Sequence, residues 1–268
     1  IDSMLEQHLN PPLPRNPVLH LGKTGQVAII GDTHGDHQAN LAVLKHIDEN
    51  YPDAKVVWNG DKVDGRFSGY VAGKDDLTNL KIINSRMMKN PKKYFTLQGN
   101  HERFLLSGFT PAGFWNSLTP EEQLRYEKKF AEQPVIATAG PALIVHGGLS
   151  TSKSDKPKNF RGHKLSDFRK GWLSNNNAWN PKNIFSSLWM RPDPVEYPNT
   201  YAAQKPLALA AGYNVLITGH TPDIGYQDLK KPFYDDPDFL AVSAQTTMAY
   251  EVTYILLDLD NQKLTVHT

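Results

Sequence analysis

The chain has 268 residues, 39% hydrophobic and 21% charged, enough length and apolar content for one large α/β core or two small ones without staples. Lys and Arg number 29 against 28 Asp and Glu, a formal net charge of +1, so no global field marks a nucleic-acid or anionic-membrane partner. Zero cysteines exclude disulfides, thiolate zinc sites, iron–sulfur clusters and cysteine nucleophiles, while leaving the compartment open.

Taken in order, the chain starts Ile1-Asp2-Ser3-Met4, with no basic n-region, no apolar h-region and no initial Met. We read it as a processed or trimmed product, soluble and by preference cytoplasmic, with room for missing flanking targeting sequence. Residues 1–25, which include the prolines 11, 12, 14 and 17, are expected to be an extended lead-in. Gly22-Lys23-Thr24 is no phosphate loop, because it precedes the first strand and lacks the upstream glycine. Gln26–Ile30 is a short apolar β run, and Leu41, Leu44 and Ile47 give Asn40–Ile47 helical spacing. Lys55–Trp58 reads as a second strand, Leu77–Met88 as a second helix and Tyr94–Leu97 as a third strand. Pro120 to Glu132 is a charged helix, with Thr119 and Glu122 spaced as a capping box. Val135–Ala139 and Ala142–Val145 form a hairpin around Gly140-Pro141. Val215–Thr218 is a late strand, and Phe239–Val242 with Glu251–Leu257 is expected to close the fold as an antiparallel pair. The longest apolar stretches, such as Leu207 to Ala211 and Tyr254 to Leu257, fall far short of the ~20 residues that span a bilayer, so no membrane insertion is expected. Strand–helix alternation followed by antiparallel strands argues a single α/β domain over 1–268 built on mixed sheets, with 151–183 an insertion near the cleft.

The strands share one feature: each runs into glycine and a metal-competent residue. The blocks are Gly31-Asp32-Thr33-His34-Gly35-Asp36, Gly60-Asp61-Lys62-Val63-Asp64-Gly65, Gly99-Asn100-His101-Glu102, His146-Gly147-Gly148 and Gly219-His220-Thr221. Ligands of an open α/β sheet gather at the carboxyl ends of its strands, where glycine lets the backbone turn sharply. Asp32, His34, Asp61, Asn100, His146 and His220 offer carboxylate, imidazole and amide donors and no thiolate, a mixture that suits Mn, Fe or Zn better than Ca or Mg. A carboxylate such as Asp61 can bridge two ions ~3.5–4 Å apart, the spacing used for in-line phosphoryl displacement by an activated water. His8, His20, His37, His46, His163 and His267 fall outside every block and read as surface or core histidines.

The five blocks, in this order, resemble the metallophosphoesterase superfamily. Val63-Asp64 in the second block and Ser187-Leu188-Trp189 later make the chain most similar to phosphoprotein phosphatases of the bacterial and Shewanella-like type. The resemblance spans about residues 26–221. It implies a calcineurin-like fold with the metals at the strand C-terminal ends. It puts Asp32, His34 and Asp61 on a first divalent ion and Asp61, Asn100, His146 and His220 on a second, with manganese ahead of iron and zinc. It also implies that His101, oriented by Asp64, protonates the leaving oxygen. The family's second block ends Asp-Arg-Gly, whereas this chain has Asp64-Gly65-Arg66, and Gln98 stands where the family often has arginine. Arg66, Arg103 and Arg191 are therefore the candidates to grip the phosphate.

The expected activity is that of a dinuclear-metal serine/threonine-type phosphoprotein phosphatase, with tyrosine second. Its chemistry would be in-line attack of a hydroxide bridging the two ions on a phosphorylated protein or peptide. A dinucleoside polyphosphate or polyphosphate hydrolase is the rival enzyme, since related families use the same ligand cage. A binding module that kept the fold and lost the metals is a minor alternative, weakened by the complete ligand set. The basic stretch Lys153, Lys156, Lys158, Arg161, Lys164, Arg169 and Lys170 follows the His146 block and would steer acidic substrates toward the cleft.

Overall fold

The computed structural model describes residues 18–65, 69–103, 113–149, 204–205, 208–209, 211–220, 234–236, 238–244 and 252–267. In chain order the elements are β1 (Val18–His20), β2 (Gln26–Ile30), α1 (His37–Asn50), β3 (Lys55–Trp58), α2 (Lys74–Lys89) and β4 (Tyr94–Thr96). A 3₁₀ turn at His101–Arg103 follows, then α3 (Gly113–Asn116), α4 (Pro120–Ala131), β5 (Ile136–Ala139) and β6 (Ala142–Val145). The late strands are β7 (Val215–Thr218), β8 (Tyr234–Asp236), β9 (Phe239–Ser243), β10 (Tyr254–Asp258) and β11 (Lys263–His267).

The strands form two sheets, one in the order β1-β5-β6-β7-β9-β8 and the other β11-β10-β2-β3-β4. In the second, β2, β3 and β4 run parallel through the crossover helices α1 and α2, and β10 closes the edge of β2 antiparallel. In the first, β6 pairs parallel with β7 and β7 with β9, while β5 and β6 make the expected antiparallel hairpin.

Side-chain alternation explains the layering. Val27 and Ile29 of β2, Val57 of β3 and Ile255 and Leu257 of β10 pack against Ala137, Ile144, Ile217 and Val242 of the facing sheet. The alternate residues Ala28, Ile30, Val56, Trp58, Tyr254 and Leu256 face Val43, Leu44 and Ile47 of α1 and Ile83 of α2. With period two, a strand buried on both faces reads as a continuous apolar run, as Val27–Ile30 does. Each such buried aliphatic side chain contributes about 1.5–3 kcal/mol relative to exposure. The result is a helical layer, a five-stranded sheet and a six-stranded sheet.

Capping sets the helix starts. Asp36 accepts the Ala39 N–H at 2.9 Å and begins α1 three residues before the periodic stretch from Asn40. Thr119 and Glu122 form the expected capping box on α4.

Two expectations need correction. Phe239–Val242 does not pair with Glu251–Leu257: β9 lies between β7 and β8 in one sheet, and β10 lies between β11 and β2 in the other. An apolar run specifies that a strand is buried but not which strand receives it. Val18–His20, within the supposed lead-in, is a strand paired parallel with β5 through Val18–Ile136, Leu19–Ala137 and His20–Thr138. The proposed insertion at 151–183 lies outside the described residues.

Candidate metal centre

The parallel strands bring their following loops together. Thr33 and His34 donate backbone N–H groups to the Asp61 carbonyl at 3.0 and 2.9 Å, and Gly35 donates to Lys62 O at 3.0 Å. In the other sheet Gly219 N–H donates to His146 O at 2.7 Å. Asn59 joins the two sets, its Nδ2 donating to Val145 O at 3.2 Å and its carbonyl lying 2.7 Å from His146 Nδ1. A buried polar relay supports the first two loops from below. Trp58 Nε1 donates to Asn40 Oδ1, Asn40 Nδ2 to Asn79 Oδ1, and Asn79 Nδ2 to both Thr33 Oγ1 and Lys62 O, all between 2.7 and 2.9 Å.

Backbone strain concentrates here. Five described non-glycine residues have positive φ, and four of them are His34 (43°), Asp61 (45°), Asp64 (68°) and His220 (62°). Left-handed backbone at a bulky residue costs about 1–3 kcal/mol and persists only where surrounding contacts over-determine it. Gly99 shows how tight those contacts are: a Cβ there would lie 2.2 Å from Asp61 Oδ1 and 2.3 Å from Asp61 N.

Two groups of ligand atoms result, each spanning no more than 4.8 Å: His34, Asp61 and His101, and Asp61, His146 and His220. Asp61 belongs to both, the arrangement a bridging carboxylate requires. Its Oδ2 lies 3.8 Å from His34 Nε2 and 3.8 Å from His101 Nε2, while its Oδ1 lies 3.3 Å from His146 Nε2. Asp32 flanks both groups, with Oδ2 3.9 Å from His34 Nε2 and Oδ1 3.7 Å from His146 Nδ1, and it accepts the His220 N–H at 3.0 Å. Asn100 Oδ1 lies 2.8 Å from His146 Nε2. The six expected ligands therefore converge, and His101 joins the first group through its Nε2.

The donors fit cations. Val63 O, 3.0 Å from His34 Nδ1, and Asn59 O, at His146 Nδ1, each accept a proton held on Nδ1 and turn Nε2 inward. A neutral His146 then points a lone pair at the oxygens of Asn100 and Asp61, a repulsion that a bound cation relieves. Without one, a proton serves: burial disfavours the charged ring, but the Asp61 and Asp32 carboxylates outweigh it and lift His146 to about 9. Burial raises Asp32 to about 6, with the Asp61 charge adding to it against the neighbouring imidazoles. Asp61 is equally buried, yet His146, His101 and His34 hold its carboxyl well below the usual range. A pocket that keeps one carboxylate ionised and strains to ionise the second is electrostatically short of positive charge.

His101 and Asp64 form the expected pair, Nδ1 to Oδ2 at 2.9 Å. Burial works against the imidazolium, but the Asp61 charge and the Asp64 hydrogen bond outweigh it and raise the ring's pKa. The His101 ring stands edge-on to His34 with centroids 4.9 Å apart.

Arg66, Arg191, Trp189 and the basic stretch 153–170 lie outside the described residues. Arg103 is described and is 1% exposed. Its Nε lies 3.1 Å from Glu127 Oε1 and its Nη1 donates to Gln98 Oε1 at 3.1 Å. This guanidinium joins the 3₁₀ turn to α4, a structural commitment that differs from the phosphate contact expected of it.

Sequence reasoning missed the supports. Glu102 is fully buried and accepts the N–H groups of Gly99, Asp61 and Lys62 at 2.7, 2.9 and 2.6 Å, while Lys62 Nζ lies 3.2 Å from its carboxylate. Asp76, also fully buried, accepts from Asp64 N at 2.9 Å, from Gly73 N at 2.8 Å and from the Tyr70 hydroxyl. The motif block names Glu102, but nothing local marks Asp76, which reaches the site from the first turn of α2.

A mixed-sheet α/β fold with two imidazole clusters sharing one carboxylate defines a metal-dependent hydrolase. Residues 25–223 match the calcineurin-like phosphoesterase family, and the chain belongs to it. A probable serine/threonine-protein phosphatase of Encephalitozoon cuniculi is 28% identical over 158 residues, 56% of this chain and 32% of the relative, so the match spans about a third of that protein. Among solved structures, a protein serine/threonine phosphatase from Saccharomyces cerevisiae superposes with a TM-score of 0.66 at 16% identity, covering 99% of this chain and 85% of the other. A variant of a cold-active protein tyrosine phosphatase does so with a TM-score of 0.61 at 15% identity, covering 95% and 80%. At these identities the two structures show the shared fold. Among the described residues no helix is long and apolar enough to cross a membrane.

Proposed function

We propose that the chain is a phosphomonoesterase acting on phosphorylated protein or peptide, phosphoserine and phosphothreonine ahead of phosphotyrosine, as a single domain of the bacterial and Shewanella-like phosphatase type. The observation that carries the reading is Asp61 shared between two imidazole groups with the His101–Asp64 pair beside it. Asp32, His34 and Asp61 would hold one divalent ion, and Asp61, Asn100, His146 and His220 the other, with manganese first and iron or zinc as substitutes. When bound, these ions supply Lewis acidity toward the phosphoryl oxygens and an activated water.

The chain's own residues do the rest. Val63 O and Asn59 O fix the His34 and His146 rings, so Nε2 of each faces inward without a search through rotamers. Glu102 fixes the backbone of Asp61, and the His101 N–H donates to Asp61 Oδ1 at 3.0 Å, which sets the carboxylate's direction. Asp64 holds His101 at Nδ1, leaving Nε2–H as the proton for the departing serine or threonine oxygen. Arg66 and Arg191 remain the candidates for gripping the phosphoryl oxygens, and the 153–170 stretch for drawing in acidic substrates.

Metal-reconstituted protein assayed in parallel on phosphoserine, phosphothreonine and phosphotyrosine peptides, diadenosine tetraphosphate and polyphosphate tests this reading. The phosphoserine and phosphothreonine peptides are expected to give the highest kcat/KM. Faster turnover of diadenosine tetraphosphate or polyphosphate would replace the reading with the polyphosphate-type hydrolase.

A further inference from the structure

One short helix holds both members of the acid pair. Phe114 N–H, in α3, donates to Asp64 Oδ1 at 2.7 Å, and the next residue's indole, Trp115 Nε1–H, donates to the His101 carbonyl at 2.8 Å. Asp64 therefore spends one oxygen on α3 and the other on His101 Nδ1, and His101 is gripped by its ring through Asp64 and by its backbone through Trp115. Trp115 is fully buried, and its ring stands edge-on to Phe114 at 5.3 Å and to Phe130 at 6.0 Å. Rings locked on two sides give the indole N–H a fixed direction. The carbonyl it holds sits on the first residue of the 3₁₀ turn, so that bond sets how the turn, and the imidazole on it, leans over the cage.

We propose that Trp115 is a positioning residue for proton donation: its N–H to His101 O, together with the Phe114 N–H to Asp64, holds His101 Nε2–H on the line of the departing oxygen. The inference rests on the reading in which His101 protonates that oxygen. In that step the phosphorus–oxygen bond to the leaving group breaks as water's oxygen bonds to phosphorus. The His101 proton passes to the leaving oxygen, and a proton from the water restores the imidazole. A positioning role of this kind matters only when the leaving group needs a proton, whereas a purely structural role lowers turnover of every substrate alike.

The test is a leaving-group comparison in Trp115→Phe and Trp115→Tyr, each of which keeps an aromatic ring and loses the indole donor, so that if one fails to fold the other decides. Loss of one hydrogen bond to a working group predicts a kcat on phosphoserine peptide lower by about tenfold. KM and metal content, measured by elemental analysis, stay unchanged, and turnover of p-nitrophenyl phosphate, whose phenolate leaves without a proton, stays near wild type. His101→Asn is run beside them and is expected to show the same split, more deeply; added to it, Trp115→Phe has no further effect. If His101→Asn lowers both substrates equally, the proton-donor reading itself fails. If His101→Asn shows the split but the Trp115 variants lower both substrates equally, or their loss adds to that of His101→Asn, the positioning proposal is overturned.

Discussion

Glu102 accepts the backbone N–H of Asp61 at 2.9 Å, so the carboxylate shared by both ligand groups is held in place by the third loop rather than by its own strand. The same Glu102 takes the Gly99 and Lys62 N–H groups and faces the Lys62 ammonium, with both side chains sealed from solvent. Glu102→Ala strands three buried donors and an uncompensated charge. Breaking a buried pair in this way costs about 3–5 kcal/mol. Urea unfolding should show a lower midpoint at unchanged slope, with Glu102→Gln losing less because it keeps one acceptor oxygen.

Asp61 and His101 should separate metal binding from turnover. Asp61→Asn removes the shared charge at the middle of both groups, and elemental analysis should find the protein depleted of metal and inactive. His101→Asn should retain its metal and lose turnover of phosphoserine peptide by about 100-fold or more, the usual worth of a general acid.

Gly99 is a steric prediction. A methyl group placed on it would sit 2.2 Å from Asp61 Oδ1 and 2.8 Å from Glu102 Oε2, in a site where the neighbouring Gly60 Cβ position is already 2.6 Å from Gly99 Cα. Gly99→Ala must push the second and third loops apart. Overpacking of a tight interior costs about 1–3 kcal/mol. A lower Tm accompanied by weaker metal binding, read by calorimetric titration, is the expected outcome.

Acid stability has a separate origin, away from the metal centre. Burial pushes the Asp48 carboxyl up, but hydrogen bonds from Arg86 and Tyr94 and the charges of Arg86 and Lys93 outweigh it and leave the pKa below its ordinary value. A carboxylate with a depressed folded pKa stabilises the protein above its unfolded value of about 3.9, and that stability is lost as pH falls through the folded value. Asp48→Asn should therefore be less stable than wild type at neutral pH, with the gap closing below about pH 4. Urea midpoints taken across that range check the sign.

What the sequence reveals of this protein follows from the range of each physical cause. β2, β3 and β7 coincide with the expected spans because a fully buried strand is a short apolar run ended by a polar or glycine turn, and all of that is local. Val18–His20 and Tyr234–Asp236 escape notice because edge strands of three residues are too short to show a period, whereas Lys263–His267 does alternate, with Leu264 and Val266 turned to the core. The partnering of β9 and β10 is a tertiary matter that their apolar residues do not encode. At the site, the residues expected to meet cations stand out because their chemistry is intrinsic to the side chain. The roles of Asp76, Glu102 and Trp115 arise only when distant loops come together, for a carboxylate or an indole serves as a support by virtue of what it faces. Arg103 makes the complementary point, since an arginine beside a motif is equally suited to a buried pair with Glu127.

On the proposed reading, hydrolysis depends on two cations held around Asp61. Stripping the purified protein exhaustively of metal, then titrating manganese back while following phosphoserine-peptide hydrolysis and bound metal together, decides this dependence. The stripped protein should show no turnover, with recovery on addition of metal and saturation at two ions per chain. Turnover that survives complete stripping would contradict that dependence.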